Sequence, residues 1–160
     1  MEKKSIKILK WLCYVALALV ALWLAFMAIQ SYFVLTTGSG EGVINWGSPS
    51  IGAKVAIFVG QRVAALTLGI LCAVFVINIL KCIKGGTIFS HANVVLLRVM
   101  AVVVPAYAFL SDNLGIACSA GDLGEFCLTD NPFVYTMIVL IVGQLYKLAH
   151  DAAKEQELTI

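Results

Sequence analysis

Four stretches without a charged side chain, separated by connections that alternate between lysine-bearing and lysine-free, constrain this chain more than any other feature. Trp11 to Gly40 holds no ionisable group except Cys and Tyr, and Val63 to Leu80, Val99 to Ser111 and Asn131 to Tyr146 are equally clear of charge. A helix that crosses about 30 Å of hydrocarbon needs roughly 20 predominantly apolar residues. The first stretch meets this outright. The second meets it once Arg62 or Lys81 sits at an interface, and the third and fourth borrow flanking residues. The pattern predicts an all-α fold, a four-helix transmembrane bundle built as one integral membrane domain over 1–160. Its spans are placed at about 10–35, 55–82, 92–111 and 132–150, with a polar tail over 151–160.

Composition agrees. Hydrophobic residues make up 61% and charged residues 12% of the chain, against about 45–50% and about 25% in soluble domains. A soluble helical bundle would need a polar stripe on each helix, and Trp11 to Val34 offers only Tyr14, Gln30, Ser31 and Tyr32. The basic start and the small pair Ala25 and Ala28 resemble a signal peptide. The apolar run, however, exceeds the roughly 7–15 residues of a secretory core, so an uncleaved anchor is expected.

Charge fixes the expected topology. Lys3, Lys4, Lys7 and Lys10 precede the first span, Lys81, Lys84 and Arg98 flank the central connection, and Lys147 and Lys154 follow the last span. These are nine of the eleven basic residues, with Lys54 and Arg62 left over. The connections Thr36 to Gly52 and Asp112 to Pro132 carry no Lys or Arg, and the second holds Asp112, Asp122, Glu125 and Asp130. By the positive-inside rule both termini and the central connection are cytoplasmic. A net charge of +2 is too small to point to nucleic acid; the basic residues suit anionic lipid headgroups instead.

Each segment carries its own expectations. In the first, Ala18, Ala21, Ala25 and Ala28 form a small-residue stripe that would admit a neighbouring helix. Trp11, Tyr14, Tyr32 and Phe33 lie at its ends, where aromatic rings favour the interface. The second, from about Gly52 to Ile83, would be about 48 Å long, so either it tilts or its first two turns, with Lys54, project outward. Arg62 falls near the outer interface and can snorkel. Asp112 is its expected partner in an intramembrane ion pair, with a lipid phosphate anchor and a substrate or ion site as alternatives. The third is entered through Phe89-Ser90-His91-Ala92-Asn93-Val94, with Ser90 as cap and Phe89 stapled to Val94. Gly85-Gly86 ends the helix before it. Pro105 is expected to bend this span, and Arg98 to face the cytoplasmic mouth near Asp151. The fourth begins with Asn131 as cap and Pro132 at the first helical position. It runs out of the membrane through His150, Asp151, Lys154, Glu155 and Glu157. Lys147–Asp151 would attract and Asp151–Glu155 repel at four-residue spacing.

No catalytic, metal-binding or cofactor-binding constellation emerges, and the chain is not expected to be an enzyme. Cys118 and Cys127 share one extracytoplasmic loop and are a candidate disulfide that would restrain a glycine-rich segment, with two free thiols as the alternative. A quinone-coupled thiol oxidase would need a second reactive pair, and Cys13, Cys72 and Cys82 do not supply one. His91 and His150 both fall near the cytoplasmic face, could approach each other, and are read as surface residues. Every Asp and Glu lies in a loop or tail, so the buried carboxylate of a proton-coupled transporter is missing. No Walker loop, nucleophile elbow or zincin motif occurs.

Two cytoplasmic patches carry a resemblance. They are Gly86-Thr87-Ile88-Phe89-Ser90-His91-Ala92-Asn93 with Leu97-Arg98, and Ala149-His150-Asp151 through Glu155-Gln156-Glu157-Leu158-Thr159-Ile160. Together they resemble the four-span prokaryotic membrane proteins of domain-of-unknown-function family 2975, with its Gly-x-x-Phe-Ser-x-x-Asn connection and acidic Glu-x-Glu-Leu-Thr ending. The resemblance implies a prokaryotic inner-membrane protein of no established activity. It also implies a partner, the small helix-turn-helix regulator often encoded beside that family. Phe89, Ser90, Asn93, Arg98, Glu155, Glu157, Leu158 and Thr159 would then build a cytoplasmic contact surface, although capping and tail solubility account for the same residues. A small transporter or channel subunit, built as a homo-oligomer, is the alternative. A third is an immunity-type or accessory protein.

Overall fold

Hydrocarbon offers the backbone no hydrogen-bond partner, so apolar runs of this length satisfy their own N–H and C=O groups as helices. The computed structural model describes residues 3–36, 49–85, 89–117 and 126–158. It contains α1 (Lys3–Thr36), α2 (Ile51–Lys84), α3 (His91–Asp112), the short α4 (Leu114–Ala117) and α5 (Asn131–Leu158). Among the described residues there is no strand. All four long helices are long and apolar enough to cross a membrane, which makes this a multi-pass membrane protein.

Side-chain contacts fix the register. Leu24 of α1 meets Gly69 of α2, and Met27 and Gln30 meet Arg62. Gln61 meets Ser111 and Phe75 meets Asn93 between α2 and α3. Leu97 lies against Gly143, and Ser90 against Tyr146, between α3 and α5. Residue numbers rise on one helix as they fall on the next, so each pair is antiparallel. The start of α1, the α2–α3 connection and the end of α5 therefore lie at one end of the fold. This basic end carries Lys4, Lys7, Lys81, Lys84, Lys147 and Lys154; the opposite, acidic end carries Asp112 and Asp130.

The arrangement departs from a closed bundle. α1 packs on α2, α2 on α3 and α3 on α5, with no backbone approach between α1 and α5, α1 and α3, or α2 and α5 among the described residues. The four helices form an open arrangement with α1 and α5 at its edges, and α1 reaches α3 only through side chains, the Trp23 ring meeting Tyr107 edge-on at 5.9 Å. Only 6% of the apolar window of either edge helix is buried, against 28% for α3. The arrangement is also inverted in polarity. Its largest fully buried side chains are Lys54, Gln61, Asn93 and Asn113, while Leu22, Val102 and Leu148 stand at 67%, 71% and 65% exposure. Lipid solvates such a surface without cost, so apolar faces need not turn inward.

Two expectations are corrected here. The alanine stripe of α1 is not its packed face: Ala18, Ala21, Ala25 and Ala28 are all exposed, only Ala28 sharing a recess with Arg62 and Ala65 of α2, and Cys13, Val20, Leu24 and Met27 occupy the more buried face. Close approach is set from the other side, since a Cβ on Gly69 would stand 2.8 Å from Leu24 Cδ2. Lys54, in the first turn of α2, is fully buried. The start of α5 shifts by one residue, because the amides of Phe133 and Val134 both donate to the Asp130 carbonyl at 3.1 Å. Asp130 therefore holds the capping position, with Asn131 and Pro132 inside the helix. Ser90 does cap α3, its hydroxyl accepting from the Ala92 amide at 3.2 Å. α3 continues unbroken through Pro105.

Candidate contact site at the basic end

Where α3 begins, a small polar lock joins three helices. The Tyr146 hydroxyl accepts the Ser90 amide and Asn93 Nδ2, each at 3.2 Å. Asn93 Nδ2 also donates to the Phe75 carbonyl at 3.3 Å. A carbonyl can only accept, which settles the orientation of the amide. Around this centre the Tyr146 ring meets Phe89 edge-on at 5.2 Å and tilts against Phe75 at 5.8 Å. Asn93 is wholly buried and its Oδ1 finds no hydrogen-bond partner among the described residues. Asn93 is thus removed from the contact surface expected of it. Phe89 and Ser90 are half-buried, and the Phe89 ring packs on Tyr146. Phe89, Ser90 and Asn93 together fasten α3 to α5.

One turn beyond the lock, both helices present ionisable groups. The rings of His91 and His150 lie edge to face with centroids 6.2 Å apart. His150 Nδ1 lies 3.0 Å from Asp151 Oδ1. From Asn131, 20 residues at about 1.5 Å each take α5 across about 30 Å, so Asp151 lies beyond the span. Its carboxyl is held below the usual carboxylate range by the His150 hydrogen bond and then by Lys147 and Lys154. Asp151 therefore pairs with His150, not with Arg98. Arg98 is exposed and shares a shallow recess with Gln144, Gly143 and Lys147. Glu155 is exposed too. The helix continues through Glu157 and Leu158, whereas Thr159 lies outside the described residues.

The acidic end is organised by Asn113, which the sequence reading passed over. Its Oδ1 accepts the Cys127 amide at 2.7 Å, and its Nδ2 donates to the carbonyls of Cys127 at 2.9 Å and Phe109 at 2.8 Å. Asp112 Oδ2 accepts from the Thr129 hydroxyl, and Phe109 stacks on Phe126 at 6.3 Å. The segment entering α5 is therefore clamped to the end of α3. A helix-terminal Asn was a visible signal, but its partner 14 residues on was not. Cys127 is exposed with a free thiol, and its candidate disulfide partner Cys118 lies outside the described residues.

Arg62 and Asp112 do not meet. The Arg62 guanidinium turns to α1, with Nη1 at 2.7 Å from Met27 Sδ and 3.4 Å from Gln30 Oε1, and lies 5.0 Å over the Phe58 ring. Its neighbour Gln61 is the residue that faces α3, donating to Ser111 Oγ at 3.3 Å.

Chemically, these clusters hold helices together and present charge. Among the described residues no group of three or more His, Cys, Asp or Glu side chains converges as a metal site. No family model, no curated protein and no solved structure matches the chain.

Proposed function

We propose that this protein acts through contact at its basic end, as the membrane partner of a cytoplasmic protein, and not by catalysis. The carrying observation is the length and anchoring of α5. Its 28 residues extend about 42 Å, some 12 Å more than the hydrocarbon core. The surplus turns hold exposed Asp151, Lys154 and Glu155. The Tyr146 lock fixes α5 to α3 just before it leaves the span, so the helix carries these polar turns outward from a fixed point. The positive-inside rule places those turns in the cytoplasm. The resemblance to domain-of-unknown-function family 2975, carried by the residues around Phe89 and by the ending from Glu155, supports a prokaryotic inner-membrane setting. It also supports a helix-turn-helix regulator as the partner, with Arg98, Glu155, Glu157, Leu158 and Thr159 in contact.

Co-purification from solubilised membranes tests the reading. The full chain is expected to retain a helix-turn-helix regulator encoded beside it, and deletion of Glu155 to Ile160 to release it. Undiminished retention after the deletion removes the role of the tail. The buried Lys54 and Gln61 on one face of α2 favour a second reading, a small transporter or channel subunit, because polar and ionisable groups buried at or inside a span commonly mark a pathway. Ion flux into proteoliposomes, abolished by Lys54→Ala, would establish it.

A further inference from the structure

We infer that His91 and His150 form a two-imidazole site for a first-row divalent transition-metal ion at the rim of the basic end. The two residues are 59 positions apart and sit on different helices, yet their rings lie 6.2 Å apart between centroids. Imidazoles that share one ion at about 2.0–2.1 Å per nitrogen place their centroids about 5–6 Å apart, so a small side-chain rotation closes the site. The 3.0 Å contact suits the tautomer of His150 that carries its proton on Nδ1 and donates it to the Asp151 carboxylate. The Nε2 lone pair is then left for a ligand. A metal-binding histidine steadied by a carboxylate on its other nitrogen is the usual outer-shell arrangement. Asp151 also supplies negative charge among the cations Arg98, Lys147 and Lys154.

The frame beneath is already rigid. Asn93 lies two residues after His91 and Tyr146 lies one turn before His150, and their hydrogen bond sets the spacing of the two helices at this level. Two protein nitrogens leave the remaining coordination positions to water, consistent with the lack of a third converging ligand among the described residues. Imidazole suits zinc, nickel and copper, and copper(II) binds most strongly by the usual order of affinities.

Copper(II) titrated into the purified, tag-free protein in detergent provides the test, because the chain has only two histidines and every imidazole signal must come from them. Expected are one copper per monomer and an electron spin-echo spectrum showing two coordinated imidazoles. His91→Gln and His150→Gln should each leave one imidazole and weaken binding at least tenfold. Asp151→Asn should keep two imidazoles and weaken binding about 10- to 100-fold. A wild-type spectrum with a single imidazole, or an unchanged affinity in the double histidine variant, overturns the site. The wild-type spectrum decides the matter even if a variant fails to fold.

Discussion

Replacing Tyr146 with Phe isolates the lock at the basic end, since it removes one oxygen and leaves the ring contacts with Phe89 and Phe75 in place. Two donors lose their acceptor, the Ser90 amide and Asn93 Nδ2, both at 3.2 Å. These are ordinary bonds at the long end of the range. Inside membranes such bonds average about 0.6 kcal/mol and reach about 1.7, and a buried donor left unpaired costs about 1–3 kcal/mol. Asn93 is fully buried whereas Ser90 is half-buried, so most of the loss falls on Asn93. The expected destabilisation is about 1–2 kcal/mol, roughly a five- to thirtyfold change in the unfolding equilibrium. Denaturation in mixed micelles, followed by tryptophan fluorescence, reads it. Asn93→Ala in the same assay closes a double-mutant cycle. If Tyr146→Phe matches the wild type and the cycle shows no coupling, the hydroxyl holds nothing and α3 is joined to α5 by other means.

Three further outcomes follow from the packing. Gly69→Val should separate α1 from α2, because even a Cβ would lie 2.8 Å from Leu24 Cδ2. Overpacking of this kind costs about 1–3 kcal/mol, and Leu24→Ala should restore part of it in the same unfolding assay. Asn113→Ala should release the segment 126–130, read as faster amide exchange at Cys127, with the exchange of α1 unchanged. Arg62→Ala and Gln30→Ala should show a coupling of about 0.5–1 kcal/mol in a double-mutant cycle, as expected of a partly exposed cross-helix pair, whereas Arg62→Ala and Asp112→Ala should be additive.

The sequence made the four spans legible because they rest on a strong, local signal, long apolar runs. Ser90 was legible as a cap for the same reason, its hydroxyl acting within two residues. What faces what was not legible. In a soluble helix the polar stripe marks the outward side, but α1 is apolar all round, so nothing distinguished its alanine stripe from the Leu24 face that meets α2. The expected partnership of Arg62 shows the same limit. Its level along α2 was right, since Gln61 next to it bonds Ser111 next to Asp112. One residue turns a helix by about 100°, and that rotation sends Arg62 to α1. Asn93 looked like surface because it follows a cap in a polar turn. Only the positions of Phe75 and Tyr146, 18 and 53 residues away, bring it inside.

The topology that the positive-inside rule assigns has an even number of helices crossing the bilayer and the basic end facing the cytoplasm. Single cysteines introduced as Leu128→Cys and Lys154→Cys into a chain whose five native cysteines are replaced test it directly. Both positions are exposed in the fold. A membrane-impermeant maleimide applied to intact cells should label position 128 at once and position 154 only after the membrane is permeabilised. Labelling of position 154 in intact cells, or recovery of the protein without detergent, would contradict the account.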